Sequence, residues 1–313
     1  AVSIFYLMKS NFKNPFKIEK EVLAFGETIR MELPNQVSFL NKASIKDTLW
    51  SIPEGSKLII DANYSDYIDN DVLEIIEDFK STVSIEKNIK LNIVGLKTMY
   101  QLDDHIQFVN VLDKESQGKL KPEEVLSLLK LGNERFLKGK WSQKNLKHQV
   151  NATSLGQNPI AAIVSCIDSR TNPDLIFNAS IGDLVSIRIA GNIINDDILG
   201  SIELACKDLG TKLVVVLGHS NCGAIAKAIQ GNSAGHISNI TNKIEKSIQA
   251  CNCERHLIEG NEKVIERITQ LNVDNSIAEI LDQSEYLKNK ATNGEIKIVS
   301  GIYDTQTGAV LFN

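Results

Sequence analysis

The clearest pattern in the chain is a pair of short apolar runs, each ended by polar residues. The first run covers residues 160–165 and the second covers residues 213–218, and both are rich in β-branched side chains. Such runs are typical of strands that are buried on both faces of a parallel sheet. Open α/β sheets place their sites at the carboxyl ends of such strands, so this is where we expect the chemistry of the chain.

The first hundred residues show a separate α/β pattern. Residues 27–33 alternate between polar and apolar side chains, and residues 57–61 and 90–94 form short apolar runs, which predicts three strands. Helical periodicity covers residues 40–52 and begins again at about Val72, with Asn70 or Asp71 available as the helix cap. The pattern therefore predicts an α/β unit over residues 27–97.

The second half of the chain is mainly helical around the two apolar runs. A helix is predicted from Pro122 to about Gly139, and residues 140–158 are predicted to be irregular. Further helices are predicted over 224–229, 237–250, 257–271 and 277–288, followed by strands over 296–303 and 309–312. The predicted fold class is α/β with two domains, the second with a mostly parallel central sheet. The predicted boundaries are 1–20 for the end of a membrane segment or a linker, 21–100 for the first domain, 101–121 for a linker and 122–313 for the second domain.

Composition limits the functional classes. The chain has 313 residues, a formal net charge of -5 and five cysteines. The acidic balance argues against nucleic-acid binding. Five cysteines spread over this length do not suggest a disulfide framework, and thiolates that bind metal prefer a reducing compartment such as the cytoplasm.

The amino terminus combines an apolar stretch with lysines. Residues 1–8 are apolar but far shorter than the roughly 20 residues that span a bilayer. Lys9, Lys13, Lys17 and Lys20 follow, and this arrangement is typical of the cytoplasmic end of a transmembrane helix. The alternative is an ordinary first strand or helix of a soluble domain.

Two thiols and an imidazole follow the apolar runs directly. Cys166 comes after the first run, and His219 and Cys222 come after the second. Two thiolates and one imidazole suit zinc, with a fourth position left for Asp168 or for water. The alternative is that both cysteines are small buried hydrophobic residues. Cys251 and Cys253 are interpreted as incidental, because thiols two positions apart on a helix do not face each other.

Asp168 and Arg170 lie beside the first predicted ligand. Side chains two positions apart lie on one side of an extended segment, so the guanidinium can keep the carboxylate ionised and oriented. Asp168 is then able to orient a water molecule, or to move onto the metal if Arg170 releases it. The alternative is a plain surface ion pair, which contributes little.

The first domain resembles a STAS domain of the kind found at the cytoplasmic end of SulP-type anion transporters. The resemblance rests on residues 27–30, 37–43, 59–61, 68–73 and 95–97. It implies an upstream membrane transport domain for an anion such as bicarbonate or sulfate, and a location at the cytoplasmic face of the cell membrane. Related regulators have a phosphorylatable serine after the aspartate that corresponds to Asp69. Because Asn70 has no hydroxyl, interaction or scaffolding is the role we expect.

The second domain resembles a β-class carbonic anhydrase from about Glu123 to the end of the chain. The resemblance rests on Cys166-Ile167-Asp168-Ser169-Arg170 and on residues 217–224, which include His219-Ser220-Asn221-Cys222-Gly223. It also rests on the flanking residues 133–136, 173, 176–177, 182–184, 188, 190–192, 199–203 and 303–304. It implies reversible hydration of carbon dioxide to bicarbonate and a proton, with Zn²⁺ as cofactor.

The resemblance also implies roles for individual residues. Cys166, His219 and Cys222 would hold the zinc, and Asp168 and Arg170 would form the catalytic dyad. Gln157, nine residues before Cys166, and Gly223 would bind carbon dioxide or bicarbonate, with the glutamine often supplied by a partner subunit. Members of this family are usually homodimers or higher assemblies.

Two positions depart from the family pattern. Val185 and Leu204 stand where many members carry aromatic residues that pack around the substrate cleft. These departures motivate an alternative, a catalytically silent zinc-binding regulatory module. A further alternative is a related zinc hydrolase that acts on carbon disulfide or carbonyl sulfide.

Overall fold

The computed structural model describes residues 16–23, 26–100, 104–107, 112–139, 146–253 and 260–313. The chain divides into two compact units, residues 1–109 and residues 110–313. Within the described residues no helix is both long enough and apolar enough to cross a bilayer. Of the predicted membrane-proximal stretch, residues 1–20, residues 1–15 lie outside the described residues, and residues 17–20 belong to a strand, Lys17–Leu23.

The first unit contains a five-stranded sheet and a two-stranded ribbon. The strands are β1 Lys17–Leu23, β2 Gly26–Glu32, β3 Gln36–Val37, β4 Lys57–Asp61, β5 Tyr67–Ile68, β6 Lys90–Val94 and β7 His105–Ile106. The helices are α1 Lys42–Ser51 and α2 Asn70–Asp78, which continues through a π turn, Phe79–Val83, into the short α3 Ser84–Glu86; 3₁₀ turns cover Phe39–Asn41 and Thr98–Tyr100.

The sheet of this unit has the order β1-β2-β4-β6-β7. Strands β2, β4 and β6 are parallel, and the two outer strands are antiparallel to their neighbours. Leu58, Ile60 and Leu91 from the sheet and Phe79 from the helical layer are fully buried in one core. The α/β pattern predicted for residues 27–97 is therefore present.

Helix α2 begins earlier than the sequence suggests. Its cap is Asp69, whose side chain accepts a hydrogen bond from the backbone N–H of Asp71, and the predicted caps Asn70 and Asp71 lie inside the first turn. Asp69 is the N-cap because its backbone is extended and its carboxylate accepts a hydrogen bond from the N–H two residues further on.

The second unit contains a second five-stranded sheet. Its strands are β8 Ala161–Ser165, β9 Leu184–Arg188, β10 Leu213–His219, β11 Lys297–Tyr303 and β12 Val310–Phe312. Its helices are α4 Lys114–Lys119, α5 Pro122–Leu137, α6 Leu146–Thr153, α7 Pro173–Ile176, α8 Asp196–Lys207, α9 Gly223–Gln230, α10 Ile237–Ala250, α11 Glu262–Gln283 and α12 Glu285–Thr292, with a 3₁₀ turn at Ala190–Asn192.

The strand order is β12-β11-β10-β8-β9, and β11, β10, β8 and β9 are parallel. Every residue of β8 and β10 is buried, as expected for strands covered on both faces. Because β8 and β10 are parallel neighbours with Ser165 opposite Leu217, their carboxyl ends meet at one edge of the sheet. The two apolar runs therefore form the predicted central strands.

Three helical predictions for this unit need correction. Residues 140–158 are not irregular throughout, because helix α6 covers residues 146–153. The helices predicted over 257–271 and 277–288 do not have those bounds, since α11 runs without a break from Glu262 to Gln283. Asn272 and Ser276, which lie between the two predicted helices, are buried and bonded to backbone carbonyls of the 3₁₀ turn, so the helix continues through them.

The segment predicted as a linker, residues 101–121, contains regular structure. Strand β7 extends the sheet of the first unit, and α4 belongs to the second unit. Gln117 of α4 is buried, and its side-chain amide donates to the carbonyls of Pro159 and Leu209. These bonds explain why a polar stretch is ordered without an apolar stripe of its own.

Candidate metal centre

Three buried side chains converge where β8 and β10 end. Cys166 follows β8 directly, His219 is the last residue of β10, and Cys222 is the N-cap residue of α9. Their ligand atoms all lie within 4.8 Å of one another, and the two Sγ atoms are 3.9 Å apart. Asn221 has a φ of 56°, a left-handed conformation that turns the chain back and brings Cys222 beside His219.

The histidine is oriented for a ligand. His219 Nδ1 lies 2.9 Å from the carbonyl oxygen of Ser220, which can only accept, so Nδ1 carries the proton. Nε2 is therefore an acceptor, yet it is buried and has no hydrogen-bond partner among the described residues. A buried, unpaired imidazole nitrogen facing two thiols fits a zinc site of the Cys₂His type.

The two thiols have opposite acidities. The contact with the Cys222 thiol, together with the hydrogen bond from the Gly191 N–H, lowers the pKa of Cys166. The same contact between the thiols, together with burial, raises the pKa of Cys222. The shifts in opposite directions favour a state of the pair with one thiolate, and both sulfurs would bind a dication as thiolates.

Asp168 and Arg170 form a two-pronged ion pair beside the cluster. Arg170 donates from Nε to Asp168 Oδ1 at 3.0 Å and from Nη2 to Oδ2 at 2.8 Å. The backbone N–H of Arg170 also donates to Oδ1. The guanidinium holds the pKa of the Asp168 carboxyl well below its usual range, so the carboxylate is ionised and fixed.

The loop that carries Asp168 is tied to its surroundings by two residues. Arg188, at the end of β9, donates to the carbonyl oxygens of Cys166 and Asp168. Thr171 donates its hydroxyl to the Asp168 carbonyl at 2.9 Å. The position of the carboxylate is therefore set by the neighbouring strand as well as by Arg170.

The two residues predicted to bind substrate lie in different places. Gly223 is the first residue of α9, next to Cys222, and the space where a side chain would project is open. Gln157 is exposed and precedes Ala161, the first residue of β8. At about 3.3 Å per residue, Ala161 is about 16 Å from Cys166 along the strand. Gln157 thus lies toward the amino end of the sheet, away from the cluster of its own chain.

Val185 and Leu204 are also remote from the cluster. Val185 pairs with Ala162 near the amino end of β8, and Leu204 is an exposed residue of α8. Neither position therefore shapes the surroundings of the Cys166 thiol in the same chain.

Two groups of contacts around the ligands were not predicted. The Gly191 N–H donates to Cys166 Sγ at 3.4 Å, and Asn272 Nδ2 donates to the Gly191 carbonyl at 2.8 Å. Ser220 Oγ accepts from the Thr305 N–H and contacts Asp304, which ties the ligand loop to the turn after β11. The available signal was a pair of polar residues at helical spacing, Asn272 and Ser276, within a helix that otherwise carries apolar core positions.

Cys251 and Cys253 are not incidental. They form a disulfide at the end of α10, with a Cα–Cα distance of 5.2 Å. The helix ends at Ala250, and Asn252 has a φ of 53°, so the two cysteines lie on a turn on which their side chains can meet. The interpretation that they could not face each other assumed a continuous helix.

Comparison with known proteins identifies the family. A family model described as carbonic anhydrase matches residues 161–310. Carbonic anhydrase 2 of Mycobacterium tuberculosis is 30% identical over 190 residues, which cover 58% of this chain and 87% of that protein. The carbonic anhydrase of Synechocystis is 29% identical over 192 residues, which cover 58% of this chain and 68% of that protein.

A solved structure agrees with the fold. A tetrameric β-carbonic anhydrase from the fungus Sordaria macrospora superposes with a TM-score of 0.50 at 24% identity, covering 58% of this chain and 93% of that one. At this identity the match supports the architecture of the second unit. With the sequence relatives and the converging cysteines and histidine, it leads to one conclusion: the chain belongs to the β-class carbonic anhydrase family, and it is an enzyme of that class.

Proposed function

We propose that the chain catalyses the zinc-dependent, reversible hydration of carbon dioxide, with Cys166, His219 and Cys222 as the zinc ligands. The observation that supports this assignment most strongly is the buried, unpaired Nε2 of His219, which converges with two buried thiols within 4.8 Å. A structural role for the cysteines as small hydrophobic residues would leave the imidazole nitrogen desolvated without compensation.

The residues around this site provide the rest of the chemistry. A zinc ion in such a site supplies a Lewis acid that makes hydroxide available near neutral pH. Asp168, kept ionised by Arg170, accepts a hydrogen bond from the attacking oxygen and so directs its lone pair toward carbon dioxide. Arg170 holds the carboxylate through both of its oxygens and prevents it from turning toward the ligands. The product proton leaves to buffer.

We also propose that the active form is a homodimer or higher homo-oligomer in which Gln157 serves the site of the partner subunit. Gln157 cannot reach the cluster of its own chain along β8, and it is exposed. Val185 lies toward the same end of the sheet, so both positions are available to a second copy. The structural relative from Sordaria macrospora is described as tetrameric.

Carbon dioxide hydration by the full chain tests the enzymatic proposal. In stopped-flow assays with bound zinc quantified, the wild type is expected to show near-stoichiometric zinc and hydration activity. Cys166→Ser and Asp168→Asn are each expected to abolish this activity, for different reasons. Loss of zinc is expected in the first variant and loss of turnover with zinc retained in the second. Bound zinc without hydration in the wild type would contradict the proposal and favour a silent module or carbon disulfide hydrolysis.

The first unit is proposed to be a STAS-like domain that links the enzyme to a SulP-type anion transporter at the cytoplasmic face of the membrane. Its parallel strands β2, β4 and β6, and the capping of α2 by Asp69, support the resemblance found in the sequence. An enzyme beside an anion permease could supply or consume bicarbonate locally. Transport by a membrane-inserted protein that contains this chain should then fall in Cys166→Ser, and unchanged transport would exclude the coupling.

A further inference from the structure

Beyond the ligands, a buried amide in α11 is bonded to the turn that faces Cys166. Asn272 is 3% exposed, and its Nδ2 donates to the carbonyl oxygen of Gly191 at 2.8 Å. Its Oδ1 accepts from the hydroxyl of Ser247 at 3.4 Å. A buried amide on a helix is costly unless it is paired, and here it is paired on both sides.

The turn that Asn272 contacts has no side chain of its own to hold its central residue. Gly191 has a φ of 69°, and a Cβ atom there would lie 2.8 Å from Ile244 Cδ1. The position therefore requires glycine, and apolar packing by a side chain is not available to it. Two helix residues hold the turn instead, since Ser276 Oγ donates to the Asn192 carbonyl at 3.0 Å.

The same turn also contacts a predicted zinc ligand. The Gly191 N–H donates to Cys166 Sγ at 3.4 Å. Hydrogen bonds to a metal ligand fix its position and tune the metal, and loss of such a partner typically weakens metal binding by about 10–100-fold. A continuous series of hydrogen bonds therefore connects Asn272, through Gly191, to Cys166.

We infer that Asn272 is a positioning residue of the metal centre, which acts by holding the Gly191 N–H on Cys166 Sγ. This inference rests on the proposed zinc site. The middle of α11, which is far along the sequence from any ligand, thus contributes to zinc affinity through Gly191. Ser276 acts on the same turn through the neighbouring carbonyl and has the smaller share, since it does not touch Gly191.

The test compares three variants of the full chain. Asn272→Leu keeps the approximate shape of the side chain and removes both hydrogen bonds. Ser276→Ala makes a smaller change on the same turn. The matched control is Thr269→Val, which is also buried on α11 and whose hydroxyl donates to Ile265 within the helix.

Two measurements separate positioning from stability alone. Zinc Kd is measured by competition with a chromophoric chelator, and the thiolate-to-metal charge-transfer band is recorded after cobalt substitution. Asn272→Leu is expected to weaken zinc binding by about tenfold or more and to shift the band. Ser276→Ala should move both in the same direction by less, while Thr269→Val leaves both unchanged even if its melting temperature falls.

The possible results test the role of Asn272 separately from the proposed zinc site. If the wild type binds zinc and folded Asn272→Leu has the same zinc Kd and the same charge-transfer band, the positioning role is overturned. If that variant does not fold, Asn272→Ala is measured in its place, and wild-type Kd and band in folded Asn272→Ala overturn the role instead. A wild-type chain that binds no zinc overturns the proposed zinc site, and the positioning role with it.

Discussion

Arg188 donates from Nη2 to the carbonyl oxygen of Asp168 at 2.6 Å and from Nε to the carbonyl oxygen of Cys166 at 3.0 Å. One guanidinium at the end of β9 thus fixes the backbone at two positions of the loop that carries Cys166 and Asp168. The planar fork of arginine suits two carbonyls in fixed positions, and lysine cannot reproduce it. The relative placement of the thiol and the carboxylate depends on a neighbouring strand.

Replacing Arg188 should therefore reduce turnover more than it reduces zinc content. In Arg188→Met the loop loses both bonds while Cys166 keeps its place after β8. We expect kcat to fall by about tenfold, which corresponds to about 1.4 kcal/mol in the barrier, with zinc near one per chain. Lys138→Met, on the exposed end of α5, is the matched control. Equal losses of zinc and activity in Arg188→Met would contradict this role.

Removing the carboxylate should stop hydration without releasing zinc. Asp168→Asn keeps the shape of the side chain but loses the charge that Arg170 holds, so we expect at least a hundredfold decrease in kcat, at the lower end of typical general acid–base contributions of about 10²–10⁴. Stopped-flow hydration with zinc analysis measures both quantities. A variant with near wild-type kcat would show that Asp168 does not direct the attacking oxygen.

Releasing the carboxylate should change the pH profile. Arg170 keeps the pKa of Asp168 well below its usual value of about 4, so Asp168 is ionised at neutral pH. In Arg170→Gln the pKa should rise toward that value, and the freed carboxylate can compete for the fourth ligand position. We expect a larger decrease in activity at pH 7 than at pH 9, and equal decreases at both would argue against such competition.

Mixing two inactive variants tests whether Gln157 acts across a subunit interface. Gln157→Leu and Cys166→Ser damage different sites if the glutamine serves the partner, so a mixed dimer contains one intact site. Random remixing should restore about a quarter of wild-type activity, because about half of the dimers are mixed. Each variant remixed with itself is the control. Mixed dimers that form without recovered activity would show that Gln157 does not act across the interface.

The turn after β11 should give the fold a defined response to acid. The Asp304 carboxylate accepts hydrogen bonds from the Gln306 N–H and from Thr307, which lower its pKa. Its folded-state pKa is below the unfolded one, so its contribution is present above the usual value of about 4 and is lost as pH falls through the lowered pKa. Asp304→Asn should lower Tm at pH 7, and the difference from wild type should shrink as pH falls below about 4. A constant difference across that range would exclude the carboxylate charge as the cause.

The local sequence pattern determined the centre of the second sheet and the place of its chemistry. Residues 160–165 and 213–218 are largely apolar and rich in Ile and Val, and such runs are typical of strands covered on both faces. Parallel strands end at the same edge, so Cys166, His219 and Cys222 could be placed together before any coordinates were known. The pairing of Asp168 with Arg170 was also predicted from their separation of two positions. The predicted extended segment is wrong, however, because the chain turns here and the Thr171 N–H donates to the Asp168 carbonyl.

Only the tertiary structure decided which groups hold those side chains in place. The bond from Asn272 to Gly191 spans 81 residues, and its acceptor is a backbone carbonyl that no residue type identifies. Continuity of α11 through residues 272–276 depends on the same distant partners, because a buried polar residue favours a helix interior only when the fold supplies its hydrogen bonds. The distance of Gln157 from its own site likewise follows from strand direction and length. Local patterns specify strands and ligand types, whereas long-range hydrogen bonds set the geometry of the site.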